Sequence, residues 1–261
     1  MPEIEVFFEV IGSTNSFIES IFRKNYSRKA MYLAQDNHLQ LWAAFDEWSS
    51  VPSPLPPYTL PPLNKRVWAI NASAVRTASG RGIIFVAPPY QGKSTIANAI
   101  VQAGGAPLSD NVTMLDRQRA KILPYLTPTG IREETLKKLP GLEEAVANMH
   151  MPFVTVSEVT GTVYLLHFDE IQDCAPPIAT DADMVVLLRD VGQELAGSYR
   201  LSTLTPDGAR HRLEQLVVDT SIPEVEIQDN LSKLLNTAQL RQLDFDLSTC
   251  DIGGLVRDCF G

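Results

Sequence analysis

The residues best suited to chemistry in this sequence form one short run, Ala87 to Thr95, which reads Ala-Pro-Pro-Tyr-Gln-Gly-Lys-Ser-Thr. The run fits the phosphate-loop pattern G-x-x-x-x-G-K-[ST], with alanine in place of the first glycine. In that pattern, backbone N–H groups converge on phosphate oxygens, and the following helix presents its positive N terminus to them. Lys93 is predicted to reach the β- and γ-phosphates, and Ser94 to join a Mg²⁺ shell. The predicted nucleotide-binding residues are Ala87, Gln91, Gly92, Lys93, Ser94 and Thr95.

Two prolines distinguish this loop from the usual pattern. Pro88 and Pro89 have no N–H group to donate, but they precede residues 92–95, where the expected phosphate donors cluster. The departures therefore do not exclude phosphate binding. The alternative is a Gly-Lys-Ser turn that only caps a helix.

An acidic residue follows the loop at a suitable distance. A phosphotransferase with such a loop needs an acid in the Mg²⁺ shell and, for a hydroxyl acceptor, a group that receives the proton. Asp110, in Leu-Ser-Asp-Asn, comes one predicted helix after the loop and near the start of the expected next strand. Because Ser-Asp-Asn is also strong turn chemistry, a local role as a turn or cap residue is the alternative.

The elements that must position these residues are short buried strands and amphipathic helices. Apolar runs at 67–70 and 82–86 predict two strands, and Ser-Gly-Arg-Gly at 79–82 indicates a hairpin between them, so we expect them to be antiparallel. Residues 94–103 have helical spacing and end at two glycines. Further helices are predicted at 131–148, with a break near 140–141, at 209–217 and at 231–243, and further strands at 161–168 and 184–188.

The clearest boundary in the chain is the segment 51–62, which contains six prolines in twelve residues and is expected to be an extended connector. It ends an N-terminal region, 1–62, with a predicted strand at 4–10, a helix at 13–22 and a β-like run at 30–41. The alternation of strands and helices that follows indicates an α/β domain at 63–261.

Composition excludes several classes of protein. The chain has 261 residues, of which 44% are hydrophobic, and its net charge of −9 argues against non-specific nucleic-acid binding. No apolar run is long enough to span a bilayer, so a membrane location is not expected. The three cysteines do not have the spacing of a disulfide framework or a zinc site. The acidic N terminus is unlike a secretory signal, and we expect a cytoplasmic location.

The run from Ala87 to Asp116, with its Gly-Lys-Ser-Thr, Ala-Gly-Gly and Leu-Ser-Asp-Asn elements, resembles the catalytic domain of HPr kinase/phosphorylase. It is more similar still to the HPr-kinase-related kinases of peptide-modification gene clusters, which include the lasso-peptide precursor kinases. The resemblance covers 66–261 and is strongest over 82–116. It implies the α/β fold with a mixed sheet that this family shares with phosphoenolpyruvate carboxykinase, with a small N-terminal α+β region before it.

The resemblance also implies roles for particular residues. Asp110 corresponds to the family's base toward the acceptor hydroxyl, and Asn111 takes the place of a second, metal-binding aspartate. Asn71 stands where the family has a histidine, and Glu158 is similar to a metal-ligating glutamate in a motif whose arginine is missing here. The missing arginine argues against phosphorylase activity. The predicted catalytic residues are thus Asp110 and Lys93, and the predicted metal ligands are Ser94, Asn111 and Glu158.

The expected function is ATP-dependent phosphorylation of an alcohol, most simply a serine hydroxyl of a peptide or protein, with ATP or another nucleoside triphosphate and Mg²⁺. One alternative is a kinase for a small-molecule alcohol or amino acid. The other is a nucleotide-binding regulatory or scaffold protein with weak catalysis, which Asn71 and Asn111 favour. Because members of the family are often oligomeric, the resemblance also implies a homo-oligomer. The sequence does not choose among four candidate γ-phosphate contacts, which are Arg132, Arg200, Arg210 and Arg212.

Overall fold

The chain divides into two compact units, Met1–Lys65 and Arg66–Gly261. The computed structural model describes residues 5–11, 30–35, 38–44, 67–126, 129–148, 153–157, 161–166, 175–218 and 222–261. The predicted helix at 13–22 and the proline-rich connector lie outside these residues.

The described part of the first unit is a three-stranded sheet. Its strands are β1 (Glu5–Ile11), β2 (Ala30–Gln35) and β3 (His38–Ala44), in the order β1-β3-β2. β1 is parallel to β3, and β2 is antiparallel to it. The β-like run predicted at 30–41 is therefore two strands that pair with each other.

The second unit alternates strands and helices. The elements before residue 149 are β4 (Val67–Ile70), β5 (Ala72–Arg76), β6 (Gly82–Val86), α1 (Lys93–Gln102), β7 (Ala106–Ser109), β8 (Thr113–Asp116), β9 (Lys121–Leu123), β10 (Thr129–Arg132), α2 (Glu133–Lys138) and α3 (Pro140–Asn148). Those that follow are β11 (Phe153–Ser157), β12 (Gly161–Leu166), β13 (Thr180–Asp190), a 3₁₀ turn (Gly192–Leu195), β14 (Tyr199–Thr203), α4 (Pro206–Glu214), α5 (Glu224–Thr237), β15 (Gln239–Phe245) and α6 (Ile252–Phe260).

Nine of these strands form one mixed sheet. Seven of them have the order β4-β8-β9-β13-β6-β5-β7, β15 also pairs with β13, and β14 pairs with β15. The three strands β6, β13 and β15 are parallel, with β13 between the other two. The carboxyl ends of parallel strands meet at one edge of a sheet, which is where α/β proteins bind ligands. A separate antiparallel sheet has the order β10-β12-β11. The unit is therefore an α/β domain with a large mixed sheet, as predicted.

Both faces of the large sheet are covered, which explains the continuous apolar runs of its central strands. Along β13, Met184, Val186 and Leu188 face a core shared with α1, α2, α3 and α6, whereas Val185 and Leu187 face a second core shared with α4 and α5. All five are at most 5% exposed. None of the helices described here has the length and apolar character needed to cross a lipid bilayer.

Two sequence-based predictions about the elements are wrong. Strand 82–86 does not pair with 67–70, because β5, a run of small residues not recognised as a strand, is its antiparallel partner. Strand β4 pairs with β8 instead. The helix predicted at 231–243 ends at Thr237, and the chain continues as β15. Leu240 and Leu243 face opposite sides of the sheet, and their spacing of three imitates a helical pattern.

The helix predicted at 131–148 is also divided differently. Its first two residues end strand β10, and the break falls at Leu139 between α2 and α3. Asp110 does not start a strand, but follows the last residue of β7 in a turn. The carboxylate is therefore placed by the end of one strand and by the tight turn that leads to the next.

Candidate functional site

Strand β6, the loop 87–92 and helix α1 form the strand–loop–helix unit that the sequence predicts. Gly92 adopts the left-handed conformation, with φ of 82°, immediately before the helix. A Cβ atom at this position would lie 3.0 Å from Cζ of Phe245, so both the backbone angle and the close approach of β15 require glycine. No described side chain caps α1. Its first N–H groups, which have no acceptor within the helix, are therefore free to bind an anion.

The Lys93 side chain crosses the mouth of this loop. It is 7% exposed, and its Nζ donates to the carbonyl oxygens of Ala87 at 2.8 Å and Pro88 at 3.0 Å. Burial lowers the pKa of Lys93 and Arg132 adds to this, while the negative charge of Asp110 opposes it. The ammonium group is thus held between the loop and the acidic residue, without a carboxylate bonded to it.

Asp110 is the centre of a compact polar cluster. Its Oδ1 accepts from Ser73 Oγ at 2.5 Å, Ser94 Oγ at 2.8 Å and the Asn111 N–H at 3.0 Å. Its Oδ2 accepts from Thr129 Oγ1 at 2.5 Å. The residue is only 2% exposed. All of these donors are uncharged, and none of the described residues forms an ion pair with this carboxylate.

The contact between Ser94 and Asp110 fits a Mg²⁺ site. Neighbouring oxygen ligands of an octahedral Mg²⁺ lie about 2.9 Å apart, close to the 2.8 Å between Ser94 Oγ and Asp110 Oδ1. Within the described ranges, no group of three or more His, Cys, Asp or Glu side chains is arranged to hold a metal. Mg²⁺ does not need such a group, because it takes one or two carboxylates and completes its shell with phosphate and water.

Asn111, another predicted metal ligand, does not direct its side chain into this cluster of hydrogen bonds. Asn111 has φ of 63°, its side chain is exposed, and its carbonyl accepts from the Ala72 N–H at 3.2 Å. Its described role is to shape the turn that carries Asp110. Asn71, in the position of the family histidine, donates its N–H to the Leu216 carbonyl at 2.7 Å. Glu158 lies outside the described residues, and its predicted role stays a prediction.

Two of the predicted nucleotide-binding residues fasten the loop to its surroundings. Gln91 Oε1 accepts from the Asp190 N–H at 2.8 Å, which ties the loop to the end of β13. Thr95 is buried, and its hydroxyl shares a hydrogen bond of 3.0 Å with Thr135 in α2. Both side chains therefore position the loop and its helix rather than face an open site.

Of the four arginines considered for the γ-phosphate, only Arg132 is described in contact with the loop. Its guanidinium carbon lies 4.4 Å from the ring centroid of Tyr90, a cation–π contact. Its Nε is buried and has no hydrogen-bond partner among the described residues. Arg210, by contrast, donates to Gln228 and Ser232 in α5. The structure therefore favours Arg132 over the others as a cation beside the loop.

Sequence reasoning did not identify Ser73, Thr129 or Tyr90 as parts of the site. Ser73 lies in β5, the strand that was not recognised, and Thr129 begins β10. Isolated hydroxyl residues in strands carry no motif, so no sequence signal would have singled them out. Tyr90 does lie within the loop, at φ of 68° and 48% exposed, and its aromatic character was the one available signal.

Comparison with known proteins adds no family assignment. No family model matches this sequence. Among curated proteins, none is significantly similar to it. The resemblance to HPr kinase/phosphorylase therefore stays a prediction that rests on the residues quoted above.

Proposed function

We propose that the domain binds a nucleoside triphosphate with Mg²⁺ at residues 87–95 and transfers its γ-phosphoryl group to a hydroxyl. The observation that carries the proposal is the hydrogen bond between Ser94 and Asp110, next to the buried ammonium group of Lys93. A hydroxyl at the start of the loop helix, an acid after a neighbouring strand and a loop lysine are the parts that such a reaction uses. Here the chain brings all three together.

Each residue has a defined task in this proposal. Lys93 exchanges its two loop carbonyls for phosphate oxygens, and the first N–H groups of α1 bind the same phosphates. Ser94 and Asp110 hold Mg²⁺, which neutralises charge on the phosphates when bound. For Asp110 also to accept the proton of the acceptor, as the resemblance implies, Oδ2 is the suitable oxygen, because it accepts one hydrogen bond whereas Oδ1 accepts three.

Arg132 adds a second positive charge beside Lys93. Its Nε, which has no partner among the described residues, and its position over Tyr90 make it the best candidate for a contact with the transferring phosphoryl group. A guanidinium in that place stabilises negative charge in the transition state. The acceptor, proposed to be a serine of a peptide or protein, is supported by the family resemblance alone.

A second candidate function is nucleotide binding with little or no catalysis. Asp110 already has four hydrogen bonds, and Asn111 supplies no second carboxylate. Without a second acidic side chain at position 111, the set of residues that the resemblance implies for metal binding and proton transfer is incomplete. This alternative predicts tight binding of Mg²⁺-ATP without turnover.

Calorimetry of Mg²⁺-ATP binding tests the proposal. Lys93→Ala should weaken binding about 10- to 100-fold, since hydrogen bonds to charged groups contribute about 1.5–3 kcal/mol. Lys137→Ala, which removes an exposed lysine in α2, is the matched control and should bind as the wild type does. Thermal unfolding of each variant confirms that the fold is intact.

Failure of the wild-type protein to bind Mg²⁺-ATP would overturn the proposal, as would equal binding by Lys93→Ala. If binding is confirmed, incubation with serine-containing peptides and mass spectrometry distinguishes the two functions. A gain of one phosphoryl group by a peptide supports the kinase, whereas binding without ATP consumption supports the non-catalytic alternative.

A further inference from the structure

A second buried aspartate lies near the loop, on strand β15. Asp244 is 1% exposed and is surrounded by arginines. Arg189 donates to it from Nε at 2.9 Å and from Nη2 at 2.8 Å, and Arg200 donates from Nη2 at 2.7 Å. Arg212 of α4 donates to the side-chain oxygen of Gln242 at 3.0 Å. The amide nitrogen of Gln242 in turn donates to Asp244 at 2.8 Å. We call Arg189, Arg200 and Arg212 the arginine cluster.

The register of the sheet explains why these side chains meet. Arg189 of β13 and Arg200 of β14 are both directly opposite Asp244 on β15. Side chains that are directly opposite on neighbouring strands point to the same face. Helix α4 packs on that face and brings Arg212 to it. The arginine cluster is therefore a row across three strands, closed on one side by a helix.

The row lies at the same edge of the sheet as the phosphate loop. Asp190, next to Arg189, donates its N–H to Gln91 of the loop. Phe245, next to Asp244, has its ring against Gly92. Both contacts are one residue away from the row, so the row and the loop share this edge, but the row is on the face that packs against α4, whereas α1 packs on the other face. The carboxyl edge of the parallel strands thus carries a loop for phosphates and, beside it, a row of guanidinium groups.

The arginine cluster brings three guanidinium groups to one carboxylate. The charge of Glu194 also acts on Arg189, and two further acids, Asp190 and Asp246, are close to the row along the chain. Burial lowers the pKa of Arg212, and the positive charge of Arg189 lowers it further. The Arg189 and Arg200 side chains are 49% and 62% exposed, so their remaining donors face solvent. These exposed donors are what the row offers to an anionic group.

We propose that the arginine cluster binds a carboxylate of the acceptor, so that the peptide carrying the phosphorylated serine has acidic residues near it. The inference rests on the proposed function, because only a phosphoryl-transfer domain has an acceptor to hold. Guanidinium groups pair with carboxylates through two parallel hydrogen bonds, and Asp244 keeps two of the three arginines oriented for this. The phosphates of the nucleotide have their own donors in the loop, which leaves this row for the second substrate.

Fluorescence anisotropy with two labelled nonapeptides tests the assignment on the full chain. Both peptides have a central serine, one flanked by four glutamates and the other by four glutamines. The wild type should bind the glutamate peptide at least tenfold more tightly. Arg200→Gln should lose three- to tenfold of that preference. Arg210→Gln, whose guanidinium bonds α5 instead, is the matched control and should keep the full preference.

Asp244→Asn should change the affinity for the glutamate peptide in the opposite direction from Arg200→Gln. Removing this carboxylate frees positive charge, so a folded Asp244→Asn protein should bind the glutamate peptide more tightly than the wild type. A purely structural network predicts no such gain. Should this variant fail to fold, the comparison between Arg200→Gln and Arg210→Gln still decides, because Arg200 is largely exposed.

Equal affinity for the two peptides, in a protein that binds Mg²⁺-ATP, would overturn this inference alone. Competition gives a second test. If inorganic phosphate displaces the labelled glutamate peptide at a lower concentration than the unlabelled peptide does, the row is a phosphate site and the inference is overturned. Absence of Mg²⁺-ATP binding would overturn the proposed function and this inference with it. Lys93→Ala should leave the peptide preference unchanged, which separates the two sites.

Discussion

Asp110 and Asp244 are the same residue type, equally buried, yet their surroundings differ in one respect. Asp110 accepts from the hydroxyls of Ser73, Ser94 and Thr129, which carry no charge. Asp244 accepts from two guanidinium groups. A carboxylate held by neutral donors keeps its full negative charge and can attract a cation. One held by arginines is neutralised by them, and the guanidinium donors that it does not use remain exposed.

The comparison shows that the partners of an aspartate, more than its burial, determine which ligand its neighbourhood suits. For Asp244, burial alone would raise the pKa of the carboxyl group. Hydrogen bonds from Arg189, Arg200 and Gln242 outweigh that effect and lower the pKa to about 2. If the proposed function and the proposed acceptor site are correct, the two regions hold the two substrates of one reaction, on either side of the loop at 87–92.

The largest expected effect comes from removing the charge of Asp110. Asp110→Asn should reduce Mg²⁺-dependent ATP hydrolysis by at least about 100-fold, because the same carboxylate is proposed to bind the metal and to accept the proton. The rate of phosphate release measures this. The control is Asp181→Asn, an exposed acid on β13, which should retain the wild-type rate. A similar rate in Asp110→Asn and the wild type would show that Asp110 is only a turn residue.

A smaller effect distinguishes neutral donors from charged ones. Thr129→Val keeps the side-chain shape but removes a donor to a fully buried carboxylate, and should lower the free energy of unfolding by about 2 kcal/mol. Arg200→Gln, which removes an exposed partner of Asp244, should cost less than about 1 kcal/mol. Urea unfolding of both variants checks the order. The reverse order would contradict the idea that Asp110 depends on its buried hydroxyls.

The smallest effect is a pH dependence confined to Asp244. Its folded pKa of about 2 lies below the ordinary value of 3.8, so the ionised group stabilises the fold above about pH 4. That contribution is lost as the pH falls toward 2. Between pH 5 and pH 2.5, the wild type should lose about 1 kcal/mol more stability than Asp244→Asn, after allowance for solvent around the arginines. Parallel loss in both proteins would indicate that the arginines do not depress this pKa.

Much of the fold that surrounds the loop is predictable from the sequence, because it depends on local patterns. Strand β6, the loop and α1 follow from an apolar run, the Gly-Lys-Ser motif and helical spacing over neighbouring residues. The pairing of β6 with β5 and the strand β15 are not predictable in this way. β15 forms because β13 offers it a parallel partner, and that contact joins residues more than fifty positions apart.

The candidate site divides in the same way. Lys93, Ser94 and Asp110 have motif spacing, and the structure brings them together as the spacing predicts. Ser73 and Thr129 reach Asp110 from 37 and 19 positions away, through strands whose sequences carry no motif. The arginine cluster depends on sheet register across β13, β14 and β15, and one of these strands was predicted as a helix. Sequence patterns reveal a motif that is continuous along the chain, but not one assembled across strands.

The fastening of the loop at 87–92 has a consequence for the speed of the proposed ligand binding. Gln91 ties the loop to β13, Thr95 ties its helix to α2, and Pro88 and Pro89 restrict the backbone that precedes Gln91. A segment restrained in this way has already lost its conformational entropy during folding, so a ligand meets a surface of fixed shape. Association then needs no slow rearrangement of the loop after encounter, and its rate is governed by diffusion and charge.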